Sequence, residues 1–305
     1  MLELTKQLLD MQYEPDDINK ILPKDFPEAL KEIPEPPKEL FLRGALPDPK
    51  KYYYLAVVGS RKYTGYGRDA TERIISGLKG YPICIVSGLA MGIDGIAHRS
   101  ALDNELPTVA IPGSGLNDKV IYPRTHLNLA REIIENGGAL ISEYEPDLHA
   151  APWTFPQRNR LMAGIAQGTL VIEAEEKSGT LITARLALDY NRNVFAVPGS
   201  IFSATSKGTN KLIRQGATPI TTAEELLQEL GLIEEKFSEA EGKPLDLTLY
   251  TEEEQQILVL LDTPASREDI LASISLTPRE ALSTLTVLEI KGVIREKMGK
   301  YERTI

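Results

Sequence analysis

Six short apolar runs stand out in the middle of the chain: YLAVV (54–58), ICIVS (83–87), TVAI (108–111), ALIS (139–142), TLVIE (169–173) and VFAV (194–197). Each is nearly continuous in apolar side chains, the mark of a strand buried on both faces. Helical patterns separate them, near 68–79, 92–104, 124–136, 158–167, 180–190 and 209–215, with one more at 222–230. Strands and helices alternating at this spacing predict βαβ units and a parallel sheet covered on both sides. The expected class is α/β, a doubly wound sheet of about six strands spanning residues 51–232. Such sheets bind ligands where loops leave the carboxyl ends of the strands.

The flanks have a different texture. Residues 1–50 are proline-rich and acidic, with IPEPPKEL at 33–40 as the clearest breaker cluster. A short helix is expected around 2–11 and extended or linker structure after it, without an independent domain. A linker is expected over 233–245. Residues 246–305 then carry a separate pattern: a helix at 252–261, a second capped by Ser266 and a third capped by Thr277. Pro278 lies in the first turn of the third helix and Gly292 beyond its end. Two short strands follow around Met298–Gly299–Lys300. Three helices and a hairpin in this length predict a small C-terminal winged-helix domain.

Charge changes the picture. The 305 residues carry a net charge of −10, which by itself argues against an anionic partner. The acid is concentrated, however: residues 1–54 have net −3, 55–220 net +2 and 221–305 net −9. A local anion site in the middle region therefore stays open. The single cysteine, Cys84, makes neither an internal disulfide nor a cysteine zinc site, and in YPICIVSG it is expected to be buried and inert. No stretch approaches the ~20 apolar residues of a membrane span. The N-terminus is acidic and lacks a signal-peptide pattern, so a cytoplasmic protein is expected.

Several catalytic motifs are missing. No GxxxxGK[ST] loop, no GxGxxG after the first strand, no GxSxG and no HExxH occurs, and the three histidines are not at ligand spacing. No cofactor is expected. What recurs is small-residue turns at strand ends. LAVVGSRKYT offers Gly59 for close backbone approach, the Ser60 hydroxyl and the Arg61 guanidinium, with a helix N-terminus beyond. SGLAMGID repeats the device with Ser87 and Gly88. Arg158, Asn159 and Arg160 open a helix in TFPQRNRLMAG. EAEEKSGTLITA sets Lys177, Ser178, Gly179 and Thr180 before another helix. One such turn is more often only a turn, but several on one sheet edge point to a bound anion.

Other residues keep a plainer reading beside the functional one. Asp94 and His98 lie one helical turn apart; a structural pair or cap is favoured over an acid–base pair. Glu143 and Glu173 end strands and are expected to orient Arg158 or Arg160 rather than to act as catalytic carboxylates. Phe155, and less so Trp153, either stack on a base or pack. Arg295, Lys297, Lys300 and Arg303 on the last hairpin are interrupted by Glu296 and Glu302.

Taken in order, LAVVGSR, IVSGLAMGIDGIAH, YPRTHLNL, LISEY, FPQRNRLMAG, LVIEAEEKSGTLITARLAL, VFAVPGSI and GTNKLIRQGA resemble the successive motifs of the DNA-processing protein A (DprA/Smf) family over about residues 38–230. The resemblance implies an extended Rossmann-like domain that binds single-stranded DNA, protects incoming strands and helps load the RecA recombinase in natural transformation. It implies a homodimer without enzymatic activity. It places the DNA contacts at Gly59, Ser60, Arg61, Ser87, Gly88, Phe155, Arg158, Asn159 and 177–180. Two departures stand out. Members often carry a basic residue or histidine just before FPxRN, where this chain has HAAPWTF, and many have a fuller helical N-terminal domain. The rival is a Rossmann-like phosphoribohydrolase; PGSIFSATSKGT lacks the double glycine and following glutamate of that signature.

Overall fold

The structure, a computed structural model, describes residues 17–233, 250–261, 265–297 and 299–303. These fall into two compact units, one within Met1–Glu234 and the other within Glu235–Ile305. The expected helix at 2–11 and nearly all of the expected linker lie outside the described residues.

The first unit is built on a nine-stranded sheet. Its strands are β1 (Ile18–Ile21), β2 (Leu40–Gly44), β3 (Tyr53–Val58), β4 (Ile83–Ser87), β5 (Thr108–Ala110), β6 (Ala139–Ser142), β7 (Gly168–Val171), β8 (Asn193–Ala196) and β9 (Thr218–Pro219). They lie in the order β1-β2-β6-β5-β4-β3-β7-β8-β9. The seven strands from β6 to β9 pair in parallel, and β2 and β1 add to the β6 edge antiparallel. The six expected strands are all present. The segment set apart as 1–50 is not merely linker: β1 and β2 tie residues 18–44 into the main sheet.

The helices are α1 (Glu28–Lys31), α2 (Gly65–Ser76), α3 (Ile93–Asp103), α4 (Leu127–Glu135), α5 (Thr154–Ile165), α6 (Gly179–Asp189), α7 (Lys207–Arg214) and α8 (Ala223–Glu229). Side chains along a strand alternate between faces, and the core follows that period. Tyr54, Ala56, Val58, Cys84 and Val86 face one layer with Leu161 and Met162 of α5, Ala184 of α6 and Leu212 of α7. Leu55, Val57, Ile83 and Ile85 face the other with Ile74 of α2, Ile93 of α3 and Leu226 of α8. Each such aliphatic side chain contributes roughly 1.5–3 kcal/mol on full burial. Cys84 is fully buried and its thiol is pushed up by desolvation, as expected of an inert position.

The second unit packs α9 (Glu252–Leu260), α10 (Arg267–Ser273) and α11 (Pro278–Ile290) with a small antiparallel sheet of β10 (Ala265–Ser266), β11 (Ile294–Lys297) and β12 (Lys300–Arg303), in the order β10-β12-β11. Ile257, Leu258, Ile270, Leu285, Leu288 and Tyr301 form its core. Ser266 and Thr277 cap α10 and α11 in reciprocal capping boxes with Asp269 and Glu280. Among the described residues no helix is long and apolar enough to cross a membrane.

Candidate functional site

The sheet turns back at β3. From β3 the chain works outward through β4 and β5 to β6, then α5 carries it across to β7 on the other side of β3. The loops leaving the carboxyl ends of β3 and β7 therefore diverge, which opens a crevice between them. A cleft of about 410 Å³ lies there. Its walls are the turn at 59–62, the first half of α5 and the start of α6.

Nine of the twelve expected residues line this cleft: Gly59, Ser60, Arg61, Phe155, Arg158, Asn159, Ser178, Gly179 and Thr180. Their chemistry differs from residue to residue. Arg61 is exposed, and its guanidinium carbon lies 4.8 Å from the centre of the Phe155 ring. A cation held on an aromatic face keeps its N–H edges open to a ligand. Ser60 is buried, and its hydroxyl serves its own turn: it accepts from the Lys62 N–H (3.0 Å) and donates to the Lys62 carbonyl (2.9 Å). On α6, Ser178 caps the helix by accepting from the Thr180 N–H at 3.2 Å, and the Thr180 hydroxyl donates to the Gly59 carbonyl at 3.0 Å. That bond joins the α6 N-terminus to the β3 turn. Gly179 is exposed, and a side chain there would meet open space.

Arg158 is buried rather than displayed. It donates to the carbonyls of Gly88 and Ile111 (2.6 Å to the latter), and its Nε donates to Asn159 at 3.0 Å. Asp94 lies 3.9 Å away. Burial lowers the Arg158 pKa and raises that of Asp94 against the attraction between them. The side chain binds together the carboxyl ends of β4 and β5 from α5, and only part of it borders the cleft. This explains Gly88, where a Cβ would overlap the Arg158 guanidinium. Gly88 borders a small adjoining cavity. The Ser87 hydroxyl donates to the Val57 carbonyl at 2.6 Å and is fully buried between strands. Lys177 is exposed and does not line the cleft.

The two strand-end glutamates differ. Glu143 holds Arg160 in a two-pronged contact at 2.6 and 2.7 Å, as expected. Glu173 touches neither arginine. It accepts from the Thr64 N–H (2.9 Å), the Thr64 hydroxyl (2.6 Å) and the Thr205 hydroxyl (2.9 Å). Thr64 is the N-cap of α2, so this carboxylate occupies the anion seat at that helix start. Gly67 leaves the room for it. The helix N-terminus expected to serve a ligand after β3 is already filled. Asp94 and His98 find separate partners: Asp94 faces Arg158, while His98 Nδ1 lies 2.7 Å from the Thr108 hydroxyl. Burial, with His126 nearby, pushes the His98 pKa down to about 3, so the ring is neutral near pH 7.

Sequence reasoning missed Lys62, Glu175 and Thr183 on the cleft walls and Tyr122 beside it. Lys62 and Glu175 sit within the turns already singled out. Thr183 is one helical turn beyond Gly179 on the same face, a signal that the 3.6-residue period carries. Tyr122 comes from a loop about thirty residues before Phe155; it opens the YPRTHLNL motif, but nothing local in that motif points to Phe155. Lys62 adds a second exposed cation at the rim, and Trp153 stacks edge-on against Tyr144 at 5.6 Å without lining the cleft.

The family described as DNA recombination-mediator protein A matches residues 18–231 of the chain. Protein Smf of Escherichia coli (strain K12) is 36% identical over 294 residues, which is 93% of this chain and 77% of that protein. The crystal structure of DNA processing protein A from Streptococcus pneumoniae matches with a TM-score of 0.65 at 36% identity, over 75% of this chain and 79% of that one. DNA processing protein A from Helicobacter pylori, whose structure concerns its single-stranded DNA binding mode, matches with a TM-score of 0.63 at 30% identity, over 71% of this chain and 97% of that one.

Proposed function

The chain belongs to the DNA recombination-mediator protein A family, and from that premise we propose that it binds single-stranded DNA in the β3–β7 cleft without chemically altering it. The observation that carries the reading is Arg61 on Phe155. A guanidinium for a phosphate and a ring for a base stand together at the switch point of the sheet, beside the open first turn of α6. Arg61, Lys62 and backbone N–H groups supply phosphate contacts, and Phe155 supplies stacking that tolerates any base. Arg158 and Asn159 shape the floor, and Gly59, Ser60 and 178–180 hold the two turns. Lys177 contributes charge from outside the cleft, and Ser87 and Gly88 act by positioning.

In this role the protein shields incoming strands and helps load RecA on them in transformation and recombination, as a homodimer in the cytoplasm. The second unit is a winged-helix domain in this reading, from its three helices, short β10 and terminal hairpin. The hydrolase alternative finds no support at Glu173, whose carboxylate accepts three hydrogen bonds from Thr64 and Thr205.

Nuclease protection tests the proposal. The protein is incubated with a labelled single-stranded oligonucleotide and a single-strand exonuclease, and RecA nucleation on the coated strand is timed. Strand survival and a shortened lag are expected. Degradation at the rate of the bare strand contradicts binding, and an unchanged lag contradicts the loading role alone.

A further inference from the structure

Phe155 does not stand alone at the cleft rim. The Tyr122 ring lies with its centre 5.8 Å from that of Phe155, its plane tilted by 56°. Tyr122 is 50% exposed. The two rings arrive from separate segments, Phe155 on α5 and Tyr122 on the loop between β5 and α4, while Arg61 of the β3 turn covers Phe155. The cavity bounded by Arg61, Met91, Tyr122 and Phe155 measures about 30 Å³. That is room for roughly one water, far too little for a nucleobase. The rings therefore do not sandwich a base between them. Whatever they bind lies outside the gap between them.

Stacking requires nearly parallel planes. One base cannot lie flat on two rings set 56° apart. A base on Phe155 leaves the face of Tyr122 for another base, and the tilt turns the second away from the first. We propose that Tyr122 is a second base platform, which takes a nucleobase neighbouring the one on Phe155 and keeps the two unstacked. The proposal rests on the single-strand reading of the same cleft. It adds a residue and a conformation: the strand bends at the rim, with adjacent bases splayed over two tilted rings.

An oligothymidine carrying two adjacent 2-aminopurines tests this with the full-length chain. Stacked 2-aminopurines quench each other, and splaying restores fluorescence. Affinity is followed separately by anisotropy, and folding by circular dichroism. The wild type is expected to bind with a rise in fluorescence. Tyr122→Leu keeps apolar packing on Phe155 but loses the aromatic face; about tenfold weaker binding is expected, since a base–aromatic stack is worth ~1–3 kcal/mol, with a reduced rise and an unchanged salt slope. Tyr122→Phe is expected to match the wild type within about twofold. A folded Tyr122→Leu that matches the wild type in affinity and fluorescence overturns the proposal. So does a Tyr122→Phe loss as large as that of Tyr122→Leu, which would assign the effect to the hydroxyl. If Arg61→Ala weakens binding while Tyr122→Leu does not, the single-strand reading stands and only the second platform falls. If the folded wild type does not bind the oligonucleotide at all, the single-strand reading itself fails and the platform with it.

Discussion

The guanidinium of Arg158 fills the space that a side chain at Gly88 would need, and donates to the Gly88 carbonyl. A residue that looks like a displayed cation in FPQRNR is thus a buried tie between the ends of β4 and β5. Replacing it exposes the difference between positioning and contact. Arg158→Met takes the donor from two buried carbonyls and the opposite charge from Asp94, at ~1–3 kcal/mol for each buried acceptor left unpaired. Denaturant unfolding is expected to show a loss of at least about 2 kcal/mol. An unchanged unfolding midpoint would mean that Arg158 is not structural.

Arg61 has the opposite character. It is exposed, and its guanidinium lies on the Phe155 face. Arg61→Ala is expected to leave stability nearly unchanged and to weaken single-strand binding by about 10- to 150-fold, the equivalent of ~1.5–3 kcal/mol for a charge-assisted bond. The slope of log affinity against log salt should fall by about 0.7, one phosphate contact on a single strand. Titration of a folded mutant with wild-type affinity would remove Arg61 from the site.

The fold was legible where strands are buried on both faces, because continuous apolar runs such as ICIVS admit little else. β1 and β2 were not, since they follow or precede proline clusters and sit antiparallel on an edge, and β9 has only two residues. At the site, the glycine turns after β3 and before α6 could be found from residue types alone. The occupant of the α2 N-terminus could not: Glu173 reaches Thr64 across 109 positions. The same holds for Arg158, whose carbonyl partners lie 70 and 47 positions away.

His98 makes stability depend on pH. Its pKa is lowered from 6.5 to about 3 in the folded chain by burial. The unfolded chain therefore binds the proton first as pH falls, so stability is complete above pH 6.5 and declines below it. The slope approaches about 1.4 kcal/mol per pH unit. Asp94, raised by burial, works in the other direction toward the acid end. Unfolding curves between pH 6.5 and 4.5 are expected to be flatter for His98→Gln than for the wild type. Parallel curves would show that the imidazole is not held neutral.

The second unit argues against a duplex-DNA role. Its α11 carries Arg279 offset by Glu280 and Glu289, and residues 235–305 have net −5. That charge repels phosphate within a Debye length of ~8 Å at physiological salt. Residues 246–305 alone are expected to give no gel shift with duplex, and deleting them should leave single-strand affinity within about threefold. A shift by the isolated segment, or a large affinity loss on deletion, would reverse this.

Nucleoside monophosphates and ATP should be recovered intact after incubation, with no free base or phosphate. Glu173 is hydrogen-bonded to Thr64 and Thr205, and the chain has no lysine-bearing phosphate loop. Turnover that disappears in Glu173→Gln would replace the binding account with a catalytic one.

The most direct test is an anisotropy titration of the full chain with one oligonucleotide, single-stranded and as duplex, at two salt concentrations. Tighter binding of the single strand is expected at both, with affinity falling as salt rises and Arg61→Ala flattening that dependence. Equal or tighter binding of the duplex, or affinity indifferent to salt and to Arg61, would contradict a single-strand site at the β3–β7 cleft.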